Sequence, residues 1–282
     1  MAKFINPFSD IGFKRIFGQE FSKPLLMNFL NSLLVGEKSI VDITFLDKEQ
    51  PAIYSEDRSL IYDIYCKTTD GENIIVEMQN REQPYFKKRS IYYISEAIAR
   101  QGERGVDWKY NIKAVYLVAF LNFSLADIGD TLRTDVALMD MKTHRLFSSD
   151  LRIIYLQLPH FSKEASECDN DFDRWIYVLK NMEALNRLPW AAKNSLFERL
   201  SQIADISALS KEERLKYDEG IRKYRDTLCV MEGQYDKGVA KGREEGFEKG
   251  ILMTAKKLKE LGLGIPYIKE ATGLSEEVIK QL

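Results

Sequence analysis

The chain has 282 residues, 45% hydrophobic and 30% charged, the balance of a soluble globular protein built as one large domain or one domain with an appendage. Its 41 Lys and Arg nearly cancel its 43 Asp and Glu, leaving a net charge of −2 and a pI near 5.9. A globally basic surface is thereby excluded, and any nucleic-acid footprint has to be local.

In chain order, residues 8–17 and 24–34 carry apolar side chains at helical spacing and predict two short helices. Residues 40–46, 60–67 and 73–79 predict three strands with turn residues between them. A helix is predicted from about 83 to 101, with Pro84 in its first turn. The run NIKAVYLVAFLN, residues 111–122, is almost continuously apolar, as in a strand buried on both faces. Residues 152–158 (RIIYLQL) predict one more strand. This order describes a mixed α/β layer arrangement. From residue 169 the pattern is helical throughout, over 169–182, 190–203 and 212–231. The expected organisation is therefore an α/β core over 1–165, a helical extension over 166–231 and a tail over 232–282.

In the tail, Gly238, Gly242, Gly246 and Gly250 recur every four residues. A GxxxG series packs transmembrane helices only in an apolar segment, and here Lys, Arg and Glu fill the gaps. Each Gly costs about 1 kcal/mol in a helix relative to Ala, so the segment reads as a marginal charged helix or a flexible connector. Beyond it, helix, Gly turn, helix, Gly turn and a short closing helix resemble a small helix-turn-helix unit. Ser275 is the expected N-cap of the last helix, with Glu276 and Glu277 in its first turn. That acidic, short segment suits homo-oligomerisation or helix packing better than DNA reading.

The three cysteines, Cys66, Cys168 and Cys229, are widely spaced with no CxxC pair, against a disulfide framework or zinc knuckle. The opening residues lack the apolar core of a signal peptide, and no apolar run is long enough to cross a bilayer. A cytoplasmic, membrane-free setting is expected.

The segment YDIYCKTTDGENIIVEMQ, residues 62–79, places Asp63, Glu77 and Gln79 inside predicted strands. Glu77 and Gln79 share a face with Ile75, because side chains alternate along a strand. A two-residue loop, Asp70-Gly71, would set Asp63 opposite Met78 and put the carboxylates on opposite faces. A three-residue loop, Thr69-Asp70-Gly71, pairs Asp63 with Glu77 and places Gly71 at the position that wants a left-handed residue. A one-residue slip exchanges faces, and the three-residue loop is the expected one. Directly opposed Cβ atoms lie about 4.5–5.5 Å apart, where two carboxylates repel unless a cation lies between them. The pair reads as a site for Mg²⁺ or Mn²⁺; the alternative is a solvent-facing couple of acids on an antiparallel sheet.

These residues resemble the PD-(D/E)XK nuclease superfamily, and most closely its recombination-promoting nuclease branch, also described as putative transposases. The resemblance is carried by NPFSDIGFKRIFG near the start, by YDIYCKT and VEMQ, by YFKKRSIYYISEAIARQ in the following helix, and by the charged Gly-rich tail with its closing helices. It implies a restriction-endonuclease-like α/β fold: a mixed sheet flanked by helices, here with a C-terminal helical extension. It also implies Mg²⁺- or Mn²⁺-dependent hydrolysis of DNA phosphodiesters, linked to recombination or mobile elements. Asp63 matches the superfamily's aspartate, and Glu77 matches the acid of the (D/E)xK element. Gln79 stands where Lys is usual, as in some active members; it carries no charge and cannot act as a base, but its amide can orient a water. Asp10 and Lys14, one turn apart on the first helix, are candidate outer groups. Arg89 and Tyr93, at i and i+4, are similar to a phosphate-contacting Gln-x-x-x-Tyr pair of related nucleases, with Lys87 and Lys88 adding local charge.

His144 and His160 are the only histidines and lack metal-ligand spacing, and no GxGxxG or GxxxxGK[ST] loop occurs. The rival to a nuclease is a catalytically weak DNA-binding or protein-interaction module that retains the nuclease fold.

Overall fold

The computed structural model describes residues 2–50, 60–103 and 109–282. The chain forms two compact units, residues 1–221 and 222–282.

The first unit is built on a six-stranded mixed sheet. It contains β1 (Ile43–Phe45), β4 (Ile64–Thr68), β5 (Asn73–Gln79), β6 (Val115–Leu121), β8 (Leu146–Gln157) and β7 (Arg133–Met139), hydrogen-bonded in that spatial order. The pairs β5–β6 and β6–β8 are parallel; the others are antiparallel. A second, two-stranded sheet pairs β2 (Glu49–Gln50) with β3 (Leu60–Ile61).

Period-2 alternation sorts the sheet residues onto two cores. Ile74 and Val76 of β5, with Val118 and Phe120 of β6, face α1 (Asp10–Phe17), α2 (Lys23–Leu33), α4 (Asp171–Asn181) and α5 (Ser195–Ala204). There Phe17, Phe29, Phe120 and Trp175 interlock, with the Phe29 and Phe120 ring centres 4.9 Å apart. Ile75 of β5, with Leu117 and Ala119 of β6, faces α3 (Phe86–Ala99), which buries Phe86, Ile94 and Ala97 against them. Glu77 and Gln79 belong to this second face. The helices expected as an extension from residue 166 supply part of the first core, so they share one compact unit with the sheet.

The mixed sheet flanked by helices agrees with the expected fold class, and β6 is buried on both faces as its apolar run requires. Three local differences stand out. The strand expected over 60–67 is broken at Tyr62–Asp63, because the Tyr62 N–H turns aside to the Lys48 carbonyl (3.0 Å) and β3 pairs with β2. The edge strand β7 was not expected from its sequence. It pairs on one side only, so RTDVALM need not carry the apolar alternation of a central strand. The segment expected as a marginal helix or connector is part of α6 (Lys211–Glu260), one continuous 50-residue helix running through all four glycines. Adding a residue to a nucleated helix fixes few torsions per hydrogen bond, which lets the interior tolerate them.

In the second unit, Ala255 of α6, Ile268 of α7 (Ile265–Thr272) and Ile279 of α8 (Glu276–Gln281) make a small core. Gly262 and Gly273 take left-handed conformations at the turns, and the Ser275 hydroxyl caps α8. Among the described residues no helix is long and apolar enough to cross a membrane.

Candidate metal centre

The hairpin between β4 and β5 sets the geometry. Tyr65 pairs with Ile75 and Lys67 with Asn73, a register that continues to Thr68 with Glu72 and to Asp63 with Glu77. Thr68 donates to the Glu72 carbonyl at 2.9 Å, and the Gly71 N–H returns to the Thr68 carbonyl at 2.9 Å. Gly71 has φ +88°, where a side chain would be strained. The loop is the expected three-residue one.

Asp63 lies in the bend just before β4, and Glu77 lies near the end of β5. Each side chain is held by the other strand's backbone. The Met78 N–H donates to Asp63 Oδ2 at 2.8 Å, and the Asp63 N–H donates to Glu77 Oε1 at 3.2 Å. Glu77 is 3% exposed and Gln79 9% exposed, with Gln79 Nε2 donating to Glu77 Oε2 at 3.4 Å.

Burial, then repulsion from Asp63, pushes the Glu77 carboxyl up to about 8, against the opposing pull of the Asp63 N–H, Arg89 and Gln79. Burial also raises the Asp63 carboxyl, against the Met78 N–H and Lys14. The nearby cations, Lys14 and Arg89, do not offset these effects.

Both flanking helices reach this pair electrostatically. From α1, Lys14 and Asp10 pair with each other, and their fields act on Asp63 in opposite senses. From α3, Arg89 favours ionisation of both acids. Its guanidinium lies 5.7 Å from the Tyr93 ring centre and 5.0 Å from that of Phe86. Arg89 Nη1 donates to Gln83 Oε1 at 2.7 Å, and its buried Nε has no hydrogen-bond partner among the described residues.

The α1 end is built by its own sequence. Asn6 Oδ1 accepts from the Phe8 N–H at 2.7 Å, Ser9 caps α1, and a Cβ on Gly12 would sit 2.1 Å from the Asn6 carbonyl oxygen, so only glycine fits. Sequence reasoning missed Gln83, which braces Arg89, and Asn80, whose amide donates to the Phe8 carbonyl and ties the end of β5 to the α1 loop. Polar residues directly after VEMQ and just ahead of Pro84 were the available signal.

Among the described residues no cluster of three or more His, Cys, Asp and Glu could hold a metal ion. The donors are therefore two facing carboxylates, and Asp10 does not join them as a third. Two hard oxygen ligands with the remaining positions left to water or substrate suit Mg²⁺ or Mn²⁺. Burial and mutual repulsion oppose ionising both acids, and a divalent ion would favour it.

Comparison with known families finds one model, described as PD-(D/E)XK nuclease family transposase, matching residues 7–234. Searches of curated proteins and of solved structures found no match.

Proposed function

Because the chain belongs to the PD-(D/E)XK nuclease family transposases, we propose that it is a Mg²⁺- or Mn²⁺-dependent DNA endonuclease acting at the Asp63–Glu77 pair. The observation that carries the reading is the reciprocal bonding that holds a buried Glu77 and a half-buried Asp63 opposite one another across the hairpin.

In this reading Asp63 and Glu77 would hold the ion, through carboxylates that backbone donors of the opposite strand keep in place. A bound divalent ion supplies Lewis-acid polarisation of the phosphate, a more acidic water and neutralisation of developing charge. The chain's own groups do the rest. The Gln79 amide, anchored on Glu77, orients a water by hydrogen bonding without taking its proton. Arg89, braced by Gln83 and seated on two aromatic rings, offers its guanidinium to a phosphate oxygen. Tyr93 walls that guanidinium, and Lys14 tempers the charge on Asp63. The proposal extends to a role in DNA recombination or mobile-element biology, to homo-oligomerisation through the C-terminal helices and to a cytoplasmic setting, which suits three free cysteines.

A specific observation favours a second reading. Gln79 brings no charge beside Glu77 where the family element usually has Lys, which fits a catalytically weak DNA-binding or protein-interaction module. Supercoiled plasmid incubated with the protein and Mg²⁺ or Mn²⁺ separates the two. Nicking by the wild type that disappears in Asp63→Ala supports the enzyme; nicking that persists unchanged in that variant rejects it.

A further inference from the structure

A cavity of about 460 Å³ opens on the α3-facing side of the sheet, where α3 ends and the strands continue. Tyr65 and Asn73 line it, and they are 8% and 5% exposed. Among the described residues neither side chain makes a hydrogen bond, so a phenolic hydroxyl and a carboxamide are buried with their polar ends left to the cavity. Those polar ends stay accessible at the cavity, with their hydrogen-bonding capacity left for whatever occupies it.

Lys67 and Lys113 line the same cavity, and neither makes an ion pair among the described residues. Lys113 is held in place. Gln101, just after α3, donates from Nε2 to the Lys113 carbonyl at 2.9 Å and accepts the Lys113 N–H at 2.6 Å. The aliphatic part of Lys113 lies over Gly71, where an added Cβ would meet its Cγ at 3.4 Å. Arg100 adds a third cation, with Glu96 at 3.6 Å, and among the described residues Glu103 is the one acid in the lining.

Two ammonium groups, a hydroxyl and an amide call for a ligand that brings negative charge and several acceptor oxygens. We propose that Tyr65, Lys67, Asn73 and Lys113 form a second phosphate site, separate from the Asp63–Glu77 pair. Asn73 and Glu77 share a face of β5 four residues apart, about 13 Å at a rise of about 3.3 Å per residue. A DNA strand advances at least about 3.4 Å per phosphate, so the site receives a phosphate at most about four nucleotides from the scissile bond. Assignment to the DNA strand rests on the nuclease reading; affinity for phosphate does not. A free nucleotide or pyrophosphate offers the same chemistry.

The test uses the full chain in EDTA, where cleavage is off. Anisotropy of a labelled single-stranded oligonucleotide is measured against salt for the wild type, for Lys67→Gln/Lys113→Gln, and for Lys142→Gln on the exposed β7–β8 turn as a control. Both cavity lysines are exposed, so the double variant keeps its fold, which circular dichroism verifies. Loss of this phosphate contact is expected to weaken binding about tenfold and to lower the slope of log affinity against log salt by about 0.7, with the control unchanged. Unchanged DNA binding, but a pyrophosphate-induced rise in Tm seen in the wild type and lost in the double variant, keeps the site and assigns it to a free phosphate ligand. If neither DNA binding nor the pyrophosphate shift differs between wild type and double variant, the site does not exist. Absence of plasmid nicking by the wild type would reject the nuclease reading while leaving this result standing.

Discussion

At Glu77, burial and the charge of Asp63 act in the same direction, and that has a consequence for stability. Between the ordinary carboxyl value of 4.5 and about 8, the folded chain holds a proton at Glu77 that the unfolded chain has released. Stability of the metal-free protein therefore falls as pH rises through this window, by on the order of a few kcal/mol. Thermal melts in EDTA should give a lower Tm at pH 8 than at pH 6, and Glu77→Gln should flatten the difference. Added Mg²⁺ should raise Tm more at pH 8, because the ion competes with the proton for the same oxygens; equal shifts at both pH values would argue against binding at this pair. Gln79→Lys would place an ammonium beside Glu77 and pull its carboxyl back down. The acid limb of the cleavage pH profile should then move to lower pH, with a higher rate at neutrality. The identity of Asp63, Glu77 and Gln79 as the singular residues of the hairpin was legible in the sequence, because acids and an amide interrupt an otherwise apolar alternation. The bracing of Arg89 by Gln83 was not, since nothing in the spacing of those two residues obliges a side-chain contact.

At the scale of elements, the loop is decisive. Gly71 at φ +88° permits the three-residue turn, and Gly71→Ala should destabilise the chain by about 1 kcal/mol, read from the urea midpoint, since a Cβ disfavours left-handed backbone. The space around it forms ordinary contacts, so the cost is conformational rather than a clash. The long helix α6 makes the opposite prediction. Among the described residues, nothing lies within 4 Å of a Cβ built on Gly238, Gly242, Gly246 or Gly250. Replacing all four by Ala should therefore strengthen helicity, by about 1 kcal/mol per site, and slow amide exchange along that segment; unchanged exchange would contradict a continuous helix. Element type was readable wherever period or loop chemistry is local, as in β5, β6 and α3. It failed for β7, whose strand state comes from its partner β8, and at Tyr62–Asp63, where a bond to Lys48 diverts the chain.

At the scale of the whole molecule, the sheet order places the hairpin between two layers of helix, so that α1 and α3 both reach the acids. The second unit is a testable accessory. Deleting residues 232–282 should leave the unfolding transition of the remainder in place while changing oligomeric state or DNA affinity. Light scattering and anisotropy measure these, and no change in either would exclude that role for the tail. The sequence alone determined the hairpin register, the face shared by Glu77 and Gln79 and the doubly buried β6, because loop length and alternation are written in neighbouring residues. Only the tertiary structure decided that Glu77 is buried and Asp63 half-buried beside it, within the fields of Lys14 and Arg89. It alone also decided that Lys67 and Lys113, 46 positions apart, line one cavity with Tyr65 and Asn73. Those juxtapositions depend on how remote elements pack, and packing of that kind has no local signature.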